Sequence, residues 1–188
     1  MKTLLYLHGF NSSPASAKAQ LTRQYLEQHH PGVRCEIPSL SFAPADAIDC
    51  AETILRRSGE TVLIGSSLGG YYANYLAQRH GCRAVLVNPA VYPDRLLSAY
   101  YGPNTNPVTG EQYVLEPVHL QQLRELAVPA ISVPQLRFVL VQTGDETLDF
   151  REASAYYQAC KCHIEYGGDH SFQAYCDVLP RIMAFLDL

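Results

Sequence analysis

Apolar positions along this chain gather into short, unbroken runs. Six of them, at residues 3–7, 33–37, 61–64, 84–87, 138–142 and 163–166, read as strands. A strand buried on one face alternates, whereas one buried on both faces reads as a continuous run, the habit of parallel sheets. Between the runs the spacing becomes helical. Residues 16–28 place Leu21, Tyr25 and Leu26 on one side, and residues 44–57 repeat Ala47, Ile48, Ala51, Ile54 and Leu55 at helical intervals. Further helices are predicted over 68–79, 149–159 and 175–186. Strands alternating with helices predict an α/β fold: a three-layer sandwich with about six mostly parallel strands.

One stretch interrupts the alternation. About fifty residues between Val87 and Arg137 hold no strong strand and carry seven of the twelve prolines. Short helices are expected at 94–101 and 118–126. A loop of this length inside a compact domain is functional or disordered, and Tyr92, Tyr100, Tyr101 and Tyr113 argue for order. The expectation is a single domain over 1–188 with a lid-like insertion at about 88–136, packed over the sheet's edge. Its Tyr, Pro and low charge suit a wall facing an uncharged acyl group of short to medium length.

Composition narrows the function classes. With 47% hydrophobic and 17% charged residues in 188, the chain has enough apolar content for one sizeable core. A net charge of −4 argues against a nucleic-acid surface, which needs a basic patch. No segment approaches the roughly 20 apolar residues of a membrane span, and residues 1–10 lack the long apolar stretch of a signal peptide. The expected location is cytoplasmic. The six cysteines are then expected as reduced thiols. A zinc site from Cys160, Cys162, His163, His170 and Cys176 is disfavoured, because C-x-C-H is not a structural zinc spacing.

The strongest chemical signal is Gly65-Ser66-Ser67-Leu68-Gly69, set between a predicted strand and a predicted helix. A serine on a sharp strand-to-helix turn sits in strained backbone that leaves no room for bulk two positions either side. The turn also aims the first helical N–H groups, above all that of Leu68, at a developing oxyanion. A second signal is Leu7-His8-Gly9-Phe10-Asn11 at the end of the first strand, where His8 is expected to hold the loop by hydrogen bonding. A third is Gly167-Gly168-Asp169-His170-Ser171-Phe172. Of seven histidines, His170 alone lies beyond the last predicted strand, in a loop with small neighbours that lets an imidazole reach the serine.

Together these segments resemble the α/β-hydrolase superfamily over nearly the whole chain. The stretches L-Y-L-H-G-F-N-S-S-P, G-S-S-L-G-G-Y-Y-A and Q-T-G-D-E-T-L-D-F closely resemble the bacterial YqiA esterase family. The resemblance implies a serine esterase acting on acyl esters, including acyl-CoA thioesters, with no metal or organic cofactor and a small-molecule ester as its partner. It implies Ser67 as nucleophile, His170 as base and an Asp from residues 143–149 as the third member. It also implies that Phe10 supplies the second oxyanion donor, beside Leu68. The superfamily's usual first two strands have no counterpart here, and the H-G strand is expected between the second and third strands, at a topological switch point. Two alternatives remain: an acyltransferase on the same fold, and a non-catalytic binding protein.

The third member of the triad is expected to be Asp145. The superfamily's acid commonly precedes an apolar residue by three, as Asp145 precedes Leu148. Asp149 has other work, since Asp149-Phe150-Arg151-Glu152 reads as a capping box. Glu146 and Asp169 are weaker candidates, the latter because adjacent side chains point apart.

Overall fold

The computed structural model describes residues 2–188. In chain order it contains β1 (Thr3–Leu7), α1 (Ala17–His29), β2 (Arg34–Glu36), α2 (Pro44–Arg57), β3 (Thr61–Ser66), α3 (Leu68–His80) and β4 (Ala84–Val87). There follow α4 (Pro93–Leu97), β5 (Gly102–Thr105), β6 (Gln112–Leu115), α5 (Pro117–Glu125), β7 (Arg137–Gln142), α6 (Phe150–Tyr156), β8 (Lys161–Glu165) and α7 (Tyr175–Leu186).

Six strands form one sheet in the order β2-β1-β3-β4-β7-β8, every neighbouring pair parallel. The four central strands are buried along their whole length, which is why their sequences do not alternate. The period of two survives in what each residue touches. Leu4, Tyr6, Val62, Ile64, Val85, Val87, Phe138 and Leu140 pack against α1 and α7. Leu5, Leu7, Leu63, Leu86, Val139 and Val141 face α2, α3 and α6. Two apolar cores on either side of one sheet make the three-layer sandwich.

The insertion differs from its expected form in two respects. It holds an antiparallel hairpin, β5–β6, which register pairs from Gly102↔Leu115 to Thr105↔Gln112. Its burial alternates (Tyr113 and Leu115 in, Gln112 and Val114 out) over only four residues, too short a signal among prolines. It also does not lie over a sheet edge. Leu97, Tyr113, Leu115, Leu120 and Leu123 join the core built on α2 and α3, and the Tyr71 hydroxyl of α3 donates to the Leu123 carbonyl at 2.6 Å. The reason is topological: the insertion leaves β4 and re-enters at β7, which are central neighbours.

Parallel pairing places the carboxyl ends of β1, β3, β4 and β7 along one rim of the sheet, and the strand order reverses at β1. β2 lies on one side of β1 and β3 on the other, so the crossovers diverge and open a crevice there. Among the described residues, no helix is long and apolar enough to cross a membrane.

Candidate active site

Ser67 sits between β3 and α3 with φ 55° and ψ −120°, a conformation that a residue with a side chain adopts only when its surroundings impose it. The glycines are what impose it. A Cβ on Gly65 would run into the Gly69 carbonyl, and a Cβ on Gly69 into the Leu7 carbonyl, with the His8 oxygen 2.6 Å away. They let the turn close on itself and on β1, rather than clearing space for the Ser67 side chain. At the helix start, the N–H of Leu68 has no acceptor among the described residues.

The β1 loop brings a second N–H without an acceptor among the described residues, that of Phe10. A Cβ on Gly9 would stand 3.3 Å from the Ser67 Cβ, so this loop passes directly over the serine. His8 fixes it. The Leu40 N–H donates to His8 Nε2 at 3.1 Å, so Nδ1 carries the proton and donates to the Gly9 carbonyl at 2.9 Å. In a trans peptide C=O and N–H point in opposite directions, so holding the Gly9 carbonyl from behind turns the Phe10 N–H away from His8. Burial holds the His8 pKa below the ordinary imidazole value, against the opposing bond to Gly9, which keeps the tautomer neutral. The expected loop-holding role of His8 matches this geometry.

His170 Nε2 lies 3.1 Å from Ser67 Oγ, and His170 Nδ1 lies 2.8 Å from Asp145 Oδ2 and 3.0 Å from Oδ1. With Nδ1 donating to the carboxylate, Nε2 is left as an acceptor for the serine hydroxyl. The Asp145 side chain is only 2% exposed. Burial pushes its pKa up, but bonds from His170 and from the Leu148 and Thr147 N–H groups outweigh this and bring it below the usual carboxylate range. Asp149 stands apart as the N-cap of α6. Its carboxylate accepts from the Arg151 N–H at 2.9 Å and pairs with the Arg151 guanidinium. The cap therefore uses Arg151 in place of the expected reciprocal box with Glu152.

Two residues that the sequence did not single out, Asn88 and Gln142, hold the His170 loop together with Glu146, a weaker candidate for the acid. Asn88, at the end of β4, donates to the Asp169 and His170 carbonyls at 3.0 and 3.2 Å and accepts from the Gln142 N–H. Gln142, at the end of β7, accepts from the N–H groups of Asp169 and Gln173 and donates to Glu165 and the Gln173 carbonyl. Glu146 accepts from the His170 N–H at 3.0 Å. The one available signal was polarity: Asn88 and Gln142 each end an apolar strand run. Among the described residues no three His, Cys, Asp or Glu side chains converge as a metal set, and all six cysteines stand as free thiols.

Residues 3–187 match the family described as Uncharacterised protein family (UPF0227). The chain belongs to that family. The likeness to YqiA-type sequences thus extends along almost the whole chain. A UPF0227 protein of Shewanella woodyi is 24% identical over 197 residues, covering 97% of this chain and 98% of its own. Solved structures share the fold. Alpha/beta hydrolase domain-containing protein 10 from mouse is 15% identical with a TM-score of 0.75, covering 98% of this chain and 89% of that one. Est1E from Butyrivibrio proteoclasticus is 12% identical with a TM-score of 0.72, covering 100% and 89% respectively. The UPF0227 chain therefore carries the α/β-hydrolase fold.

Proposed function

We propose that this protein is a serine esterase that hydrolyses small acyl esters through an acyl-enzyme. The observation that carries the reading is the unbroken chain Ser67 Oγ–His170 Nε2, His170 Nδ1–Asp145, beside two free N–H groups. In the first step Ser67 Oγ bonds to the acyl carbon while His170 takes its proton. The carbonyl oxygen becomes an oxyanion held by the Phe10 and Leu68 N–H groups. The C–O bond to the alcohol then breaks, and His170 returns the proton to the leaving oxygen. Water, deprotonated by the same imidazole, releases the acid. No step calls for a metal or organic cofactor.

The insertion supports an apolar acyl group. Tyr100 meets the Phe10 ring edge-on at 5.3 Å, and Tyr113 stacks on Phe42 at 4.6 Å. The Tyr113 hydroxyl donates to Asn11 Oδ1 and Asn106 Nδ2 to the Ser12 carbonyl, so the hairpin and the oxyanion loop are tied together. This makes 88–136 a wall over the acyl side, lid-like in position, suited to short and medium chains. Est1E, which shares the fold, has also been solved with ferulic acid bound, in keeping with a small-molecule substrate.

A fluorophosphonate probe and a chain-length series of p-nitrophenyl esters test the reading. The expected result is stoichiometric labelling at Ser67 with turnover, both lost in Ser67→Ala and largely kept in Ser66→Ala. Labelling without turnover would point to the acyltransferase. Absence of labelling in folded protein would point to a binding role and overturn the proposal.

A further inference from the structure

A crevice of about 260 Å³ opens at Ser67 between the β1 loop, the start of α1 and the His170 loop, with Phe10 on its border with the aromatic wall. Tyr6, Ser16, Lys18, Ser67, His170 and Ser171 line it, and no carboxylate does. Lys18 brings its only formal charge. The Lys18 ammonium donates to the Ser171 carbonyl at 2.8 Å and, among the described residues, pairs with no acid. Of the two acids whose charge reaches it, Asp145 is engaged by His170, and Asp169 pairs with Gln173 through Oδ2 while its Oδ1 is buried without a partner. The first turn of α1 opens onto the same space. Ser16 makes no side-chain cap, and the N–H groups of Ala17, Lys18 and Ala19 have no acceptor among the described residues. Tyr6 adds an independent sign. Its side chain is 1% exposed, and the polar group beside its buried hydroxyl is Ser66, which also lines the crevice. A buried hydroxyl, an uncapped helix start and an ammonium with no acid partner among the described residues surround one hollow. Such donors cost free energy until an anion accepts from them.

The mechanism says which part of the substrate lies there. His170 must reach the leaving oxygen, so the alcohol portion departs on the His170 side and the acyl portion faces the aromatic wall. We propose that this crevice is the leaving-group subsite, and that Lys18 selects esters whose alcohol portion carries an anionic group, a carboxylate or phosphate, next to the scissile oxygen. Such esters are uncharged on the acyl side and anionic on the other. The inference rests on the esterase reading for its substrate, and on the unpaired donors for its charge.

Three esters with matched phenols test it: 3-acetoxybenzoate, 3-acetoxyphenyl phosphate and the uncharged 3-acetoxybenzamide. The readout is the ratio of kcat/KM for an anionic ester to that for the amide, taken within each protein so that general losses divide out. The expected ratio exceeds that of free hydroxide attack and falls roughly 10- to 100-fold in Lys18→Met, as for loss of a charged hydrogen bond, mostly through KM. Lys18→Arg should keep most of it, and Tyr6→Phe should lose a smaller part. The two anionic esters show which anion the site takes. Binding of 3-hydroxybenzoate, 3-hydroxyphenyl phosphate and 3-hydroxybenzamide to Ser67→Ala protein, followed by NMR, gives a second readout that needs no turnover. If the amide ester is hydrolysed but Lys18→Met leaves the ratio unchanged, the anion subsite is wrong and the esterase stands. If no ester is hydrolysed but the anions bind through Lys18, the subsite stands and the esterase reading falls. If neither anion binds better than the amide, the subsite is wrong whatever the turnover.

Discussion

The Ser67 turn and the His170 loop meet at a 3.1 Å contact, yet they are held by different means. The turn is shaped by backbone against backbone: Gly65 against Gly69, and Gly69 against β1. No side-chain hydrogen bond is needed to form it. The loop is held by side-chain amides reaching in from β4 and β7, and by Phe172, which sits at φ 61° with its ring 2% exposed in the core. Steric exclusion tolerates no substitution but needs few residues. Hydrogen bonding needs several residues and yields gradually. In the proposed mechanism the nucleophile is thus presented rigidly, and the base is carried on the adjustable part, as suits a group that exchanges protons with both serine and leaving group.

That contrast can be broken from either end. The largest effect is expected from Gly69→Ala. Its methyl has nowhere to go but into the Leu7 and His8 carbonyls, so the turn or β1 must move. Overpacking of this kind costs about 1–3 kcal/mol or more, and here it also displaces the nucleophile. Thermal melts should show a large drop in Tm, and ester turnover should be undetectable. A folded, active Gly69→Ala protein would show that sterics do not set the turn.

Next in size is Asp145→Asn. It keeps the shape but lets the imidazole take the wrong tautomer, and kcat should fall on the order of 10⁴-fold. Asp149→Asn is the matched control. Asparagine caps a helix as well as aspartate does, so its activity should stay close to the parent's. A reversed pair of results would move the third role to Asp149.

A smaller effect is expected from Gln142→Ala, which removes three hydrogen bonds from the loop and one from Glu165 of β8, but none from the turn. Turnover should fall about 10- to 100-fold, in the range of a lost positioning shell. The fluorophosphonate should still label Ser67, though more slowly. Equal losses of labelling and stability in Gln142→Ala and Gly69→Ala would erase the distinction between the two regions.

The same difference explains what could be read from the sequence. The turn is local, and its requirement for glycine at fixed offsets is written within five consecutive residues. The sheet was legible for a similar reason, since burial on both faces leaves unbroken apolar runs. The braces on the loop are not local. Asn88 and Gln142 lie far from His170 along the chain and become its neighbours only when β4 pairs with β7. Nothing adjacent to either amide marks it as a brace. Lys18 was illegible too, because an unpaired charge is visible only once its surroundings are known. The hairpin β5–β6 was missed because four-residue strands between prolines carry too little pattern.

Finally, β4 and β7 are hydrogen-bonded neighbours, with Val87 opposite Leu140, although some fifty residues separate them. Their pairing does not depend on what the connecting chain does, provided that it returns. Closing such a connection costs only about 0.6 kcal/mol more for each doubling of its length. A shorter or longer segment can therefore stand in its place with Ser67, Asp145 and His170 in register, provided that it covers the α2 and α3 face that Leu97, Leu115, Leu120 and Leu123 cover here. Under the proposed function, the fold separates inheritance of the reaction from inheritance of its acyl preference: the sheet would pass on the first, and the β4–β7 connection the second.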